Sequence, residues 1–249
     1  MTEASRTGDP YLAPSMTDRR ALAQINGQLS RLGRVHIPGL FRPEKAEQIF
    51  EACRDADYRL SFKGQRTDYD LSERDVAALE LGQKAGLLKL IHAQASTDFE
   101  YLFDSCRLSD LAENHALPPG VLADLFAMLN SEATLGVFRA MTGDPGIRYA
   151  DAQLTRYRPG HFLTEHDDRH PDKYRLYAYV INLTPVWRVD WGGLLMFMAE
   201  DGHVAEAYAP RWNAINLFKV PQRHAVSVVA PFAQGARYSI TGWLRGQRP

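Results

Sequence analysis

The chain has 249 residues, 45% of them hydrophobic, which is enough for one sizeable domain or two small ones. A formal net charge of −1 offers no field to gather nucleic acid or an anionic membrane, so neither is expected as a partner. Two cysteines, Cys53 and Cys106, are too few for a disulfide framework or a cysteine-based zinc site and fit a reducing compartment.

Residues 1–14 are polar, carry Gly8, Pro10 and Pro14, and read as a flexible tail with no secretory h-region. From Thr17, Leu22, Ile25, Leu29 and Leu32 recur at helical spacing up to a stop at Gly33. Arg34–Pro38 alternates as a short strand. A second helix carries Ala46, Ile49, Phe50 and Cys53 on one face. Residues 58–70 read as strand plus loop, and Ser72 caps a helix running to about His92 in spite of Gly82 and Gly86. The pattern over 98–117 is ambiguous. Pro118-Pro119 then opens a helix with Leu122, Leu125, Phe126 and Leu129 on one face, and another carries Leu135, Phe138 and Met141 to Gly143.

After Gly146 short β-rich runs follow one another between Gly, Pro and Asp turn signals: 148–158, 162–168, 174–183, 194–199, 203–209, 213–220, 223–230 and 236–245. The expectation is one α+β domain over 15–249, with helical support over about 15–145 and a jelly-roll core over about 146–246. No apolar run reaches membrane-spanning length. Residues 176–187 come nearest and are broken by Asn182, Thr184 and Pro185, so a soluble, cytoplasmic protein is expected.

The chemistry concentrates in Tyr157-Arg-Pro-Gly-His-Phe-Leu-Thr-Glu-His166-Asp-Asp168, two extended segments around a Pro159-Gly160 turn. Strand alternation puts His166 and Asp168 on one face. With a third ligand they make a 2-His-1-carboxylate set, which leaves coordination positions open and suits non-haem Fe(II). His224 is the best candidate for that ligand. On its strand it shares a face with Val226 and Val228, as either a metal ligand or a satisfied core histidine.

The last strand alternates Arg237, Ser239, Thr241 and Trp243 on one face with Tyr238, Ile240 and Gly242 on the other. An inward guanidinium needs an anion. That anion is either a ligand carboxylate, with Ser239 adding a hydroxyl, or an internal acid such as Asp190. His161, His170 and His203 lack a ligand-spaced partner and read as surface or supporting residues. Trp187, Trp191 and Trp212 read as packing.

In their order, His166-x-Asp168, His224 and Arg237-x-Ser239 resemble the Fe(II)/2-oxoglutarate-dependent dioxygenases. His166-Asp-Asp-Arg-His170, Val180-Ile-Asn-Leu-Thr-Pro-Val-Trp187, Trp191-Gly-Gly193 and Arg237-Tyr-Ser-Ile-Thr-Gly-Trp243 resemble the prolyl-hydroxylase-like branch, over roughly 147–246. The resemblance implies a double-stranded β-helix buttressed by the N-terminal helices. It also implies iron on His166, Asp168 and His224, with 2-oxoglutarate as cosubstrate and its distal carboxylate on Arg237. Dioxygen is the third reactant, and the substrate is hydroxylated with release of succinate and CO2. Asp168 fills the acidic ligand position, which implies hydroxylation rather than halogenation. Tyr157 matches the tyrosine that faces the cosubstrate; its alternative is a barrel-core aromatic. Asn182 stands where related prolyl hydroxylases place a tyrosine beside the distal carboxylate, so the local contact must differ.

Gln153, Thr155, Thr241 and Trp243 are expected to line the substrate end. These neutral walls favour a prolyl residue in a protein or peptide over a free amino acid or other small metabolite, with Arg59, Lys63 and Arg66 as possible sources of charge from the helical half. A non-catalytic cupin-like metal-binding module is the third alternative. It would ordinarily show a His-x-His pair, which is missing here.

Overall fold

A computed structural model describes residues 10–64 and 67–248. Arg66 therefore lies outside the described residues. The helical layer begins with a 3-10 turn at Pro14–Thr17, α1 (Arg19–Leu32), a first strand β1 (Arg34–Pro38) and α2 (Pro43–Arg54). Strands β2 (Arg59–Lys63) and β3 (Asp68–Ser72) form a hairpin, followed by α3 (Glu73–Ala78) and α4 (Leu81–Ala95). Next come β4 (Tyr101–Cys106), α5 (Leu108–Glu113), α6 (Val121–Leu129) and α7 (Glu132–Thr142). The β-rich half holds β5 (Tyr149–Ala150), β6 (Gln153–Tyr157), β7 (Phe162–His166), β8 (Arg175–Asn182) and β9 (Leu195–Met198). It ends with β10 (Val204–Tyr208), β11 (Ala214–Lys219), β12 (His224–Val226) and β13 (Arg237–Arg245).

The strands pair antiparallel in the order β1-β11-β8-β13-β6-β4-β7-β12-β9-β10, with β2, β3 and β5 attached off this path. The two ends of the path approach each other. Arg34 on β1 forms an ion pair with Glu206 on β10 at 2.5 Å, and the His36 and Tyr208 rings lie 5.5 Å apart. The sheet therefore curls into a nearly closed barrel, the jelly-roll core of an α+β fold.

Alternation gives the barrel two apolar regions. Outside, Tyr179 and Ile181 of β8, Ile215 and Leu217 of β11, and Ile240 and Leu244 of β13 join Leu29, Ile49, Leu125, Phe138 and Met141 of the helices in one core. Inside, Phe103, Tyr157, Ala178, Val180, Phe197, Phe218 and Val226 form a second. Helices α1 and α7 stop where the spacing says they should, each at a glycine in the left-handed region, Gly33 (φ 70°) and Gly143 (φ 71°).

Three local expectations change. Residues 10–14 are not tail-like: Leu12 is buried in the outer core, and the Ala13 N–H donates to the Leu40 carbonyl at 2.9 Å. The single helix expected over 72–92 is two. Ser72 caps the first, but Leu79 is extended, and a new start follows where the Glu80 N–H donates to the Gln83 side chain at 2.8 Å. Local capping thus competes successfully with helix continuation. Finally, β12 stops at Val226, and Val228 is exposed, off the inner face shared by His224 and Val226.

Candidate active site

β7 and β12 pair antiparallel with His166 directly opposite His224. Cross-strand neighbours share a face, so both rings project into the barrel with centroids 4.1 Å apart. Asp168 joins them by a different route from the one alternation suggests. β7 ends at His166, and Asp168 sits beyond it in the left-handed region at φ 64°. This turn folds its carboxylate back over the strand end. Asp168 Oδ1 is 3.3 Å from His166 Nε2, and Oδ2 is 3.4 Å from His224 Nε2. Among the described residues these three form the group with metal-holding geometry, their ligand atoms all within 4.8 Å of one another.

The donor set fits a divalent metal. His166 Nδ1 faces the Thr164 carbonyl at 3.0 Å and His224 Nδ1 faces the Gln222 carbonyl at 2.8 Å. A carbonyl only accepts, so each Nδ1 carries the proton and each Nε2 keeps its lone pair toward the shared point. Burial, reinforced by the neighbouring His166, lowers the His224 pKa to about 4, so the ring is neutral near pH 7. Burial alone would raise the Asp168 carboxyl. The neighbouring imidazoles, His166 first and then His224, outweigh it and hold the group at about 2. The triad thus offers two imidazole Nε2 atoms and one carboxylate.

The same cavity, about 630 Å³, is also lined by Arg237 and Tyr157. Arg237 is 2% exposed, and its Nε and Nη1 have no hydrogen-bond partner. Asp190, the internal acid considered from sequence, pairs instead with Arg188 at 2.8 Å. Burial pushes the Arg237 pKa down, with only the Tyr157 hydroxyl acting against it, and its Cζ lies 5.2 Å from the Tyr157 ring. A guanidinium enclosed in this way calls for a carboxylate from outside the chain. These orphaned nitrogens are the feature that 2-oxoglutarate fits.

Gln153, Thr155, Thr241 and Trp243 line the cavity as expected. Ser239 and Asn182 do not. They oppose each other in register; Ser239 Oγ is engaged with Thr155 Oγ1 at 3.2 Å, and Asn182 Nδ2 donates to the Ala214 carbonyl at 3.4 Å. Both have inward parity and are buried, and Asn182 Oδ1 has no hydrogen-bond partner.

The neutral-wall expectation is also overturned. Asp68, Arg107, Asp110, Asp151, Lys173 and Arg175 all line the cavity, whereas Arg59 and Lys63 do not. Arg107 is brought in by β4 and forms an ion pair with Asp70 of the β2–β3 hairpin. Arg175 is brought in by a register shift between Leu244 and Arg245 on the neighbouring β13. Of the remaining histidines, His161 is buried, His170 lines the cavity and His203 is exposed beside Asp201. Trp187 and Trp212 pack as expected, Trp187 donating to the Gly192 carbonyl and Trp212 edge-on to Phe50.

Residues 152–245 match the family model of the 2OG-Fe(II) oxygenase superfamily. No curated protein sequence matches the chain. Among solved structures, a Pseudomonas putida prolyl-4-hydroxylase is 18% identical with a TM-score of 0.58, covering 92% of this chain and 100% of that one. A 2OG-Fe(II) oxygenase family oxidoreductase from Burkholderia pseudomallei is 15% identical with a TM-score of 0.62, covering 91% and 92%. A Trichoplax adhaerens prolyl hydroxylase, solved with a hypoxia inducible factor peptide fragment, is 14% identical with a TM-score of 0.58, covering 93% and 96%. The matched segment contains the candidate triad and the unpaired arginine; over it the chain is similar to the 2OG-Fe(II) oxygenase superfamily, and the solved structures share its fold.

Proposed function

We propose that this protein is an oxygenase that hydroxylates a prolyl residue in a peptide or protein, with His166, Asp168 and His224 holding Fe(II) and Arg237 holding the distal carboxylate of 2-oxoglutarate. The observation that carries the site assignment is the pair of unpartnered Arg237 nitrogens in the cavity that the triad lines. Bound iron supplies the redox chemistry that couples conversion of 2-oxoglutarate and dioxygen to succinate, CO2 and a hydroxylated product.

The chain's own part is positioning. The Thr164 and Gln222 carbonyls fix both imidazoles in the tautomer that presents Nε2. The guanidinium fork sets the orientation of the cosubstrate by two-point binding. Val180, Phe218 and Val226 wall the space beside the triad and keep water from the reacting atoms. Tyr157 stacks on Phe103 and lies beside Arg237, which limits the ways the cosubstrate can sit.

The prolyl assignment is supported by the fold shared with prolyl hydroxylases, one of them solved with a peptide. The charged wall at Lys173 and Arg175 favours a second reading, the same chemistry on a small charged metabolite. The test is succinate release with iron-loaded protein, given blocked proline-containing peptides or free amino acids, with one added oxygen sought by mass spectrometry. Peptide-dependent succinate and hydroxyprolyl product are expected. Turnover coupled to a free amino acid, with none to peptides, overturns the peptide assignment in favour of the second reading.

A further inference from the structure

The Thr164 carbonyl that orients His166 lies in an irregular stretch of its strand. On the β12 side His224 opposes His166 and Val226 opposes Leu163, so β7 carries one residue more than β12 between the two pairs. Such a bulge re-aims a side chain, but it disrupts the ladder that would hold the bulged backbone from that side. On the other side the β4 ladder ends at Tyr101, opposite Leu163. Glu100, the residue before it, takes over the support of Thr164. The Glu100 N–H donates to Thr164 Oγ1 at 2.8 Å, and the Thr164 N–H and hydroxyl donate to the Glu100 carbonyl at 2.9 and 3.0 Å.

Glu100 is in turn fixed by its own side chain. The residue is fully buried. Its Oε1 accepts from the Tyr101 N–H at 2.8 Å and from the Lys63 N–H, at the end of β2, at 2.7 Å, whereas Oε2 has no hydrogen-bond partner. Enclosing a carboxylate with one oxygen unpartnered costs free energy, and what it secures is the position of two backbone segments. The preceding residue, Phe99, packs its ring 5.2 Å from the ring of His166.

We infer that Glu100 is a positioning residue for the metal ligand His166: its side chain ties the β2–β3 hairpin to the bulge in β7 and so sets the carbonyl that holds the imidazole. The inference rests on the oxygenase reading only in taking the triad to bind a divalent metal. The contacts run without a break from the Lys63 N–H to Glu100 Oε1, from the Glu100 backbone to Thr164, and from the Thr164 carbonyl to His166 Nδ1 at 3.0 Å. Their far end reaches the cavity, because Lys63 pairs in register with Asp68, which lines it. His224 stands outside this route, with its Nδ1 held by the Gln222 carbonyl. An effect carried by Glu100 therefore falls on one imidazole of the two.

The experiment uses full-length protein with isotope-labelled histidine, saturated with Zn(II) as a diamagnetic divalent probe and read by nitrogen NMR. Zn(II) affinity is measured beside it by competition with a chelator. Absence of Zn(II) binding in the wild type would remove the triad and this inference together; the outcomes in the variants bear on Glu100 alone. Glu100→Ala should weaken Zn(II) binding by about tenfold, the lower end of what loss of a contact behind a metal ligand causes. It should also move the His166 imidazole resonances and leave those of His224 in place. Glu100→Asp keeps the charge but shortens the reach by one methylene. It should move His166 in the same selective way, and it carries the test if Glu100→Ala does not fold. Glu100→Gln keeps an acceptor for both backbone N–H groups and should restore His166 and the affinity. Unchanged His166 resonances in the folded Ala or Asp variant overturn the inference. So do equal shifts of His166 and His224, which would mark a general loosening of the barrel.

Discussion

Ile240 and Arg237 lie on the same strand, β13, and both are enclosed, at 0% and 2% exposure. Ile240 points outward into the helical layer, where Leu244, Ile181 and Ile215 surround it in an apolar core. Arg237 points inward, and two of its nitrogens meet no partner. Burial of the first removes apolar surface from water and stabilises the fold. Burial of the second costs free energy within the chain alone. One strand thus separates two tasks by alternation: its outer face holds the barrel to its support, and its inner face holds polar groups whose partners come from outside.

That separation can be broken in graded ways. The largest effect is expected at the metal end. Asp168→Ala removes the only acidic ligand of the triad and should weaken metal affinity by more than about 100-fold, beyond what loss of an outer-shell contact causes. Metal titration checks this, and retained tight binding would remove Asp168 from the site. Next comes the outer face. Ile240→Ala should cost about 2–5 kcal/mol in urea denaturation through lost burial and a residual cavity, while 2-oxoglutarate affinity of the folded protein stays the same. A fall in cosubstrate affinity with little loss of stability would show that the two faces are not separate. The smallest is at the inner face. Arg237→Lys should raise the 2-oxoglutarate dissociation constant by about 10–100-fold, since it exchanges a two-point fork for a point charge. Its unfolding free energy without cosubstrate should not fall. Calorimetry and denaturation together read both quantities, and destabilisation of the unliganded protein would mean that Arg237 is a structural partner.

Much of the barrel was legible because its strands are regular. The period-2 pattern on β13 put Arg237, Thr241 and Trp243 inside and Tyr238 and Ile240 outside, as found. His166 and His224 were legible as a pair, and their strands prove to be neighbours with the two residues in register. The helical stops at Gly33 and Gly143 were equally plain, because a left-handed terminal residue favours glycine.

Asp168 was identified from a pattern that does not apply to it. Its strand ends two residues earlier, and a non-glycine left-handed turn, held at its carbonyl by Arg175, brings the carboxylate to the imidazoles. Parity also failed for Arg175. Counting back from Tyr177, which faces the helices, sends Arg175 outward, but a register shift against Leu244 and Arg245 reverses it into the cavity. Ser239 and Asn182 keep the inward parity expected of them, and Ser239 Oγ lies 3.2 Å from Thr155 Oγ1 of the lining. Sequence alone therefore determined the barrel, the two histidines and the buried guanidinium, because each follows from residue type and a fixed local period. The charge on the cavity wall was decided only by the tertiary structure, because a bulge, a left-handed turn and a hairpin tethered through Arg107 and Asp70 each depend on contacts between segments distant in the chain.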